Sequence, residues 1–429
     1  MQEKTVHLIG IGGVGMSALA QAYLDAGWTV SGSDRALATD APWTPVLSEL
    51  RHQGIRLAPD DGTLVDGTCA RVVVSTAIEE TNCDLVRARA LGVPVVHRAA
   101  ALAELLQPRK LLAVVGTCGK STVTAILGHL LAVCGADPVV VNGAQIVGWD
   151  AQGARVGSVR PSARPVTAVD AFAVAEVDES DKSLVAFRPY AAIVTNASAD
   201  HYSKEEMDAV FDAFVDGLPG PLVDGRRESI VPSDVARTIP LPGEHNAVNA
   251  ECALRLARRL GFPDDALAAA IRTFPGVERR LQRIGMCVGA VVYDDYAHNP
   301  EKLHAMLTTL QTVHPRGVAV VWRPHGYAPL RKMKDALAAM FRATLRPCDA
   351  LFLPPVYDAG GTTDRSINSD ALAALLDGQP VRLVHSLEEA EAELRPRASA
   401  YGAIVTAGAR DPGLPRLAQR LAQTGKDRT

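Results

Sequence analysis

The chain has 429 residues, too many for one ordinary domain and enough for about three. A hydrophobic content of 48% with 21% charged residues excludes a disordered chain, and a net charge of −4 excludes general nucleic-acid binding through phosphate attraction. The seven cysteines are scattered and lack CxxC spacing, which excludes a disulfide framework and a structural zinc site.

Aromatic residues make up only 5%, so the core is expected to rest on Ala, Val and Leu. No basic segment runs into an apolar stretch at the N-terminus, and no apolar run reaches ~18 residues. A cytoplasmic protein without membrane insertion is therefore expected.

Along the chain, short β-rich runs alternate with longer amphipathic segments, which predicts α/β layers built on parallel sheets. A first unit opens with a strand over Val6–Ile9, a glycine turn and a helix from about Met16 to Ala26. Strands follow at Thr29–Ser31 and Arg71–Ser75, then a helix end that turns into a strand across 91–97. This unit is assigned residues 1–107.

A second unit, 108–284, begins with the apolar strand Leu111–Val115, a glycine turn and a helix over Lys120–Val133. Strands are expected at Phe172–Val177 and Ala192–Thr195. The Gly-, Ser- and Ala-rich stretch 142–165 reads as loop or hairpin. Helices follow over Asn246–Leu260 and Pro263–Thr273, the second with proline in its first turn.

A third unit, 285–429, contains strands at Ala290–Asp294, Val318–Trp322, Ala350–Leu353, Val381–Val384 and Ala403–Thr406. The tail Thr424–Thr429 reads as a frayed polar end.

The strongest local signal is Gly116-Thr-Cys-Gly-Lys-Ser-Thr122, set between a strand and a helix. Glycines at 116 and 119 let backbone N–H groups close around phosphate oxygens at a helix N-terminus. Lys120 adds a mobile positive charge for terminal phosphates, and the Ser121 hydroxyl suits the accompanying Mg2+. The loop departs from the full GxxxxGK[ST] pattern, because Val114 stands where its first glycine would be. Cys118 reads as a small filler, although a thiol at a helix N-terminus can acquire reactivity.

A second glycine loop, Gly10-Ile-Gly-Gly-Val-Gly15, also follows a strand and opens a helix, with Asp34 about 20 residues on. Taken alone it points to an NAD-dependent oxidoreductase. The same geometry holds any diphosphate, including that of a UDP-sugar, and the nucleotide loop at Gly116 argues against a pure dehydrogenase.

With these residues in place, the chain resembles the Mur ligase family over nearly its whole length. His7-Leu-Ile-Gly-Ile-Gly-Gly-Val-Gly-Met-Ser17 and Ser31-Gly-Ser-Asp34 resemble the family's UDP-binding segment, as do 72–78 and 93–98. The loop at 116–122 is similar to the family's GTHGKTT, with Cys118 for histidine and Ser121 for threonine. Ala175-Glu-Val-Asp-Glu-Ser-Asp181 resembles EADESD. Thr195-Asn196 with Asp200-His201 resembles TN…DH, and Pro242–Asn249 resembles an adenine-contacting segment. Arg279-Arg280 resembles the run that enters the family's last domain. Tyr293–Pro300 and Val321–Tyr327 resemble DDYGHHP and FQPHRY.

The resemblance implies three α/β domains: a Rossmann-like UDP-binding domain, a P-loop ATPase-like central domain and a Rossmann-like C-terminal domain. It implies ATP and Mg2+ as cofactors. Gly10, Gly12, Gly13, Gly15, Met16, Ser17, Ser33, Asp34 and Arg98 are expected at the UDP-sugar. Gly116, Thr117, Cys118, Gly119, Lys120, Ser121, Thr122, His245, Asn246 and Asn249 are expected at ATP. Ser121, Glu176 and His201 are expected at the metal, and Tyr296, His298 and His325 at the amino acid. Lys120, Glu176, His201, Arg280 and His298 are the expected catalytic set.

The implied activity joins the lactyl carboxylate of a UDP-N-acetylmuramate-type substrate to the amine of an amino acid, with L-alanine the leading acceptor. A tripeptide, another amino acid, or a catalytically silent nucleotide-binding regulator are the alternatives. Where family members that use L-alanine carry carboxylate-clamping arginines, this chain has Gly326 and Pro329, with Arg323 and Arg331 as nearby substitutes. A monomer or homodimer is expected.

Overall fold

The computed structural model describes residues 4–39, 44–149, 157–165, 167–178, 183–197, 204–358 and 364–423. These form two compact units, Met1–Pro240 with His245–Val277, and Leu241–Glu244 with Glu278–Thr429. Three sheets of mostly parallel strands make up the α/β fold.

The first unit holds two sheets. Strands β1 (Thr5–Ile9), β2 (Thr29–Ser33), β3 (Arg56–Ala58), β4 (Cys69–Val74) and β5 (Val95–His97) form one, in the order β3-β2-β1-β4-β5. All its pairings are parallel. The other combines β6 (Lys110–Val115), β7 (Val139–Val141), β8 (Val159–Arg160), β9 (Phe172–Glu176), β10 (Ala191–Val194) and β11 (Leu222–Asp224). Its order is β11-β10-β6-β9-β7-β8, parallel except for the β7/β8 pair. Of that pair only β8 lies within the stretch 142–165 expected to be loop or hairpin; β7 ends just before it.

Central strands of parallel sheets are covered on both faces, so they read as unbroken apolar runs. Leu111–Val115 of β6 is such a run and is almost wholly buried. One hydrophobic cluster continues from Val6 and Leu8 of the first sheet to Leu111 and Ala113 of the second, and to Phe211 of the helix Lys204–Val215. Helices Val14–Asp25 and Arg98–Leu106 contribute Leu19, Tyr23, Leu102 and Leu106 to it.

The Lys120–Val133 helix has the expected limits. The helix expected over Pro263–Thr273 spans Asp264–Ile271, with Pro263 as its N-cap in extended conformation. Proline therefore precedes the first turn rather than sitting in it.

In the second unit, β12 (Gln282–Cys287), β13 (Ala290–Asp295), β14 (Val318–Trp322), β15 (Ala350–Leu353), β16 (Val381–Leu383) and β17 (Ala403–Ala407) form a third sheet. Its order is β12-β13-β17-β14-β15-β16, and only β12/β13 is antiparallel. Gly285 lies inside β12. The hairpin turns through Val288 and Gly289, both in the left-handed region at φ 45° and 86°. Such a turn ordinarily uses Asn-Gly, so a β-branched valine there gives no hairpin signal in the sequence.

Among the described residues no helix is long and apolar enough to cross a membrane.

Helix Lys204–Val215 follows directly on residues 198–203, which lie outside the described set. It is fastened to the end of β11 by Arg226, whose buried guanidinium reaches Asp224 at 2.7 Å, Asp212 at 2.8 Å and Asp208 at 3.2 Å. Removing one partner of a buried ionic cluster strands the others. Arg226→Ala should therefore lower unfolding stability by about 3 kcal/mol or more, measurable by urea titration; a loss below about 1 kcal/mol would show the cluster to be dispensable.

Candidate functional site

The loop after β6 is the best-defined part of the first unit. Gly116 has φ 128° and Gly119 has φ 84°, conformations that side chains rarely tolerate. A Cβ on Gly116 would lie 2.2 Å from Thr195 Oγ1, and one on Gly119 would lie 2.6 Å from Asn249 Oδ1. Both glycines are thus required by packing as well as by backbone conformation. Gly119 is the N-cap of the Lys120–Val133 helix, whose first turn carries no acidic residue. The helix end keeps its positive field for an anion.

The neighbouring strand braces this loop. Thr195 and Asn196 follow β10, and the Thr195 hydroxyl donates to Cys118 O at 2.7 Å. The Asn196 amide closes a reciprocal pair: Nδ2 donates to Cys118 O at 3.0 Å, and Oδ1 accepts from Cys118 N at 2.9 Å. Thr117 N donates to Asn196 O. A trans peptide sets its C=O and N–H on opposite sides. Tying the Cys118 carbonyl toward β10 therefore points the Gly119 N–H the other way, toward an incoming anion. Lys120 Nζ lies over the loop and donates to Gly116 O at 2.7 Å. Ser121 and Thr122 are buried in the first turn.

Glu176 ends β9 and pairs in register with Val114 of β6. Its Oε2 accepts from Gly143 N at 2.7 Å, and a Cβ on Gly143 would collide with that carboxylate. Glu176 thus stands beside the loop on the side opposite Thr195. The expected partner His201 falls in 198–203, outside the described residues. Among the described residues, no three His, Cys, Asp or Glu side chains come together as a cation site.

In the Glu244–Arg259 helix, His245 is exposed, Asn246 is buried, and Asn249 touches Gly119 as noted above. The structure thus brings Gly116–Thr122, Glu176, Thr195, Asn196 and Asn249 together. Thr195, Asn196 and Gly143 are missing from the expected site set. The first two carried a signal in the TN motif; Gly143 carried none.

The other glycine loop is held from β2. Gly10 N and Ile11 N both donate to Ser33 O. Asp34 accepts from Gly12 N at 2.9 Å and from Ala36 N at 3.0 Å, so its carboxylate caps the loop. Arg98 Nη1 lies 3.2 Å from where a Cβ on Gly15 would be. Gly13 is the N-cap of the Val14–Asp25 helix. Met16, Ser17 and Ser33 are buried, and Ser17 donates to Val14 O inside its own helix. Their side chains support the loop from below.

In the second unit, Arg279 binds buried Asp294 at 3.0 Å, and Asp294 also accepts from Thr406 Oγ1 at 2.6 Å. Burial pushes the Asp294 carboxyl up to about 6, against the opposing pull of Arg279 and Thr406. Asp295 accepts from Leu281 N and Ala297 N. Arg279 and Arg280 lie over the Tyr296 ring at 5.0 and 5.5 Å. Tyr296, His298 and His325 form a chain of edge-to-face rings spaced 5.5 and 4.9 Å.

Neither proposed substitute for the arginine clamp is available. Arg323 is paired with Asp411 at 2.8 Å and Arg331 with Asp364 at 2.8 Å. Gly326 has φ 154° and caps the Tyr327–Thr344 helix, so an arginine there would be strained.

Fold and loops together define an α/β protein built to hold phosphorylated ligands at strand ends. Residues 5–110 match the family model described as "Mur ligase family, catalytic domain", and residues 279–410 match "Mur ligase, glutamate ligase domain". The chain is 31% identical to a UDP-N-acetylmuramate–L-alanine ligase of Solidesulfovibrio magneticus, across 89% of this chain and 88% of that protein. It is 30% identical to one of Methylocella silvestris, across 98% and 92%. The crystal structure of UDP-N-acetylmuramate-alanine ligase MurC from Thermotoga maritima superimposes with a TM-score of 0.76 at 23% identity, covering 99% of this chain and 100% of that one. A murein peptide ligase from Psychrobacter arcticus gives 0.61 at 20% identity, with 99% of each chain covered. The chain belongs to the Mur ligase family.

Two measurements test these local arrangements. Asn196→Ala removes both halves of the clamp on Cys118, and nucleotide affinity by calorimetry should fall about tenfold. Asn196→Asp keeps the acceptor but cannot donate to Cys118 O, so it should be worse; affinities equal to the parent's would discount the brace.

His325 gives a pH test. Burial, with help from His298 and Arg410, lowers its imidazole from 6.5 to about 4. The unfolded chain then binds a proton that the folded chain refuses, so stability drops as pH falls from 6.5 toward 4. Asp294 works in the opposite direction over much of this range, because its raised value lets the folded state take up a proton first. The His325 contribution is isolated by His325→Gln. The variant should gain stability relative to the parent as pH falls through this window; a constant difference would mean that His325 titrates normally.

Proposed function

We propose that this protein is the ATP-dependent ligase that joins the lactyl carboxylate of UDP-N-acetylmuramate to the amine of L-alanine, a step in making peptidoglycan precursors. One observation carries the reading: identity near 31% to ligases of that name along about nine-tenths of both chains. An accessory-site oxidoreductase has no comparable support.

A carboxylate does not condense with an amine in water unless it is activated. ATP supplies the activation by passing its terminal phosphoryl group to the carboxylate, and the amine then displaces phosphate from the acyl phosphate. The catalytic requirement is positioning and charge stabilisation.

In this reading the Gly116–Thr122 loop holds the nucleotide phosphates by the outward N–H of Gly119 and the first turn of its helix. Lys120 leaves Gly116 O for the terminal phosphate, a short swing for a side chain with three rotatable donors. His245, Asn246 and Asn249 face the adenine. The loop at Gly10, Gly12, Gly13 and Gly15, backed by Met16, Ser17, Ser33 and Asp34, holds the UDP diphosphate, with Arg98 as its cation.

The oxygens of Ser121 and Glu176 suit Mg2+, which takes few protein ligands and completes its shell with phosphate and water. His201 is the family's further ligand. When bound, Mg2+ neutralises charge on the transferring phosphoryl group.

On the amine side, Tyr296, His298 and His325 line the acceptor. His325, kept neutral by burial, can accept a hydrogen bond from the amine, while the ammonium loses its proton to water before attack. Arg280 offers a positive charge to the developing oxyanion.

Phosphate release from ATP in the presence of UDP-N-acetylmuramate, screened across single amino acids and a muropeptide tripeptide, tests the whole reading. L-alanine should give the highest rate, and Lys120→Ala should reduce it at least about a thousandfold. Preference for the tripeptide would move the assignment to murein recycling. Near-normal turnover by Lys120→Ala would end the phosphate-loop role.

A further inference from the structure

Strand β17 lies between β13 and β14 in the sheet of the second unit. Its last residue, Ala407, pairs with Asp295 on one side and Trp322 on the other. Three loops therefore leave the same edge side by side: 296–298, 323–326 and 408–411. In open α/β sheets ligands settle at this edge of the strands. The first two loops carry the Tyr296, His298 and His325 rings already described. The third carries Arg410, close enough to His325 for its charge to act on that imidazole.

The arginines at this edge differ in what they are free to do. Arg279 is committed to Asp294, and Arg323 to Asp411. Arg280 lies over Tyr296, where it also acts on Asp295. Arg410 is exposed, and among the described residues it has no carboxylate partner.

Its backbone is in the left-handed region at φ 65°, a conformation that glycine takes freely and a long side chain does not. The next residue fixes the loop. Asp411 is buried, holds Arg323, and accepts from Gly413 N at 2.7 Å. An arginine is thus kept at a costly position, exposed on the loop beside the one that carries His325.

We propose that Arg410 binds the carboxylate of the incoming amino acid, an inference that rests on the ligase reading above. A guanidinium fork matches a carboxylate through two parallel N–H···O bonds. In an α-amino acid the amine is one carbon from the carboxylate. A carboxylate on Arg410 therefore delivers the amine to the neighbouring imidazoles. The selected substrate class is the free α-amino acid, and no arginine at 326 or 329 is needed.

The test compares L-alanine with L-alaninamide, which keeps the amine and methyl group but lacks the carboxylate. Phosphate release is measured for the parent protein, Arg410→Gly and Arg410→Lys. Arg410→Gly suits φ 65°, so its melting temperature should not fall below the parent's. Its KM for L-alanine should rise about 10- to 100-fold, the loss expected for hydrogen bonds to a charged group. Its KM for ATP, for UDP-N-acetylmuramate and for L-alaninamide should stay within about twofold. Arg410→Lys, which keeps charge without the fork, should fall between. An unchanged KM for L-alanine in Arg410→Gly, or equal losses with the two acceptors, overturns the assignment of Arg410. If the parent releases no phosphate with any amino acid, the ligase reading itself fails, and this inference with it.

Discussion

The clamp on the Cys118 carbonyl is the interaction on which the first unit's nucleotide loop depends. A loop that receives phosphate must turn N–H groups outward and carbonyl oxygens inward, because an outward carbonyl would repel the anion. Two donors, Thr195 Oγ1 and Asn196 Nδ2, converge on that one oxygen. Planarity of the peptide does the rest by facing the Gly119 N–H away. The donors come from the end of β10, which is hydrogen-bonded to β6 along its length. The loop is therefore positioned by sheet register, and slippage of β10 against β6 would release it. Gly116 follows from the same constraint, since Thr195 occupies the space a side chain would need.

The loop after β1 solves a similar problem by other means. There the neighbouring strand supplies a carbonyl, Ser33 O, which takes the N–H groups of Gly10 and Ile11, while the Asp34 carboxylate takes that of Gly12. Asp34 is the residue that made the sequence resemble a dinucleotide fingerprint. In the fold its carboxylate is engaged by the loop itself, which weakens the link from that motif to a nicotinamide ribose. The glycine pattern reports a diphosphate-sized turn and leaves the identity of the diphosphate open. What separates a ligase from a dehydrogenase is the second loop and its brace.

How much of this was legible depended on what burial does to sequence. Strands β6, β14 and β15 are covered on both faces and appear as continuous apolar runs, so Leu111–Val115, Val318–Trp322 and Ala350–Leu353 stood out. Edge strands such as Arg56–Ala58 and Leu222–Asp224 are only three residues long and give no period to detect. The antiparallel β12 was hidden by its Val288-Gly289 turn. At the site, glycines with forced conformations were visible one by one, as was Lys120. The brace was visible only as a motif, because nothing in the spacing of Thr195-Asn196 and Cys118 says that they meet 77 and 78 residues apart. Arg410 was not visible at all. A single arginine after a strand has no pattern, and its meaning comes from which other arginines are already paired.

That pairing explains the character of the second unit's strand edge. Its carboxylates are turned inward: Asp294 to Arg279 and Thr406, Asp295 to the amides of Leu281 and Ala297, and Asp411 to Arg323 and Gly413. Each is buried, and each is spent on holding one of the loops. The groups left facing outward are imidazoles and guanidinium ions. Asp294 and Asp411 cancel the arginines they hold, so the positive charge of the edge comes from Arg280 and Arg410, in a chain whose net charge is negative. An anionic group is favoured there, while a neutral His325 keeps the same edge from repelling an ammonium as strongly as an imidazolium would. A zwitterion with one carbon between its charges fits that division: a fixed cation for the carboxylate, and next to it a ring without charge for the amine.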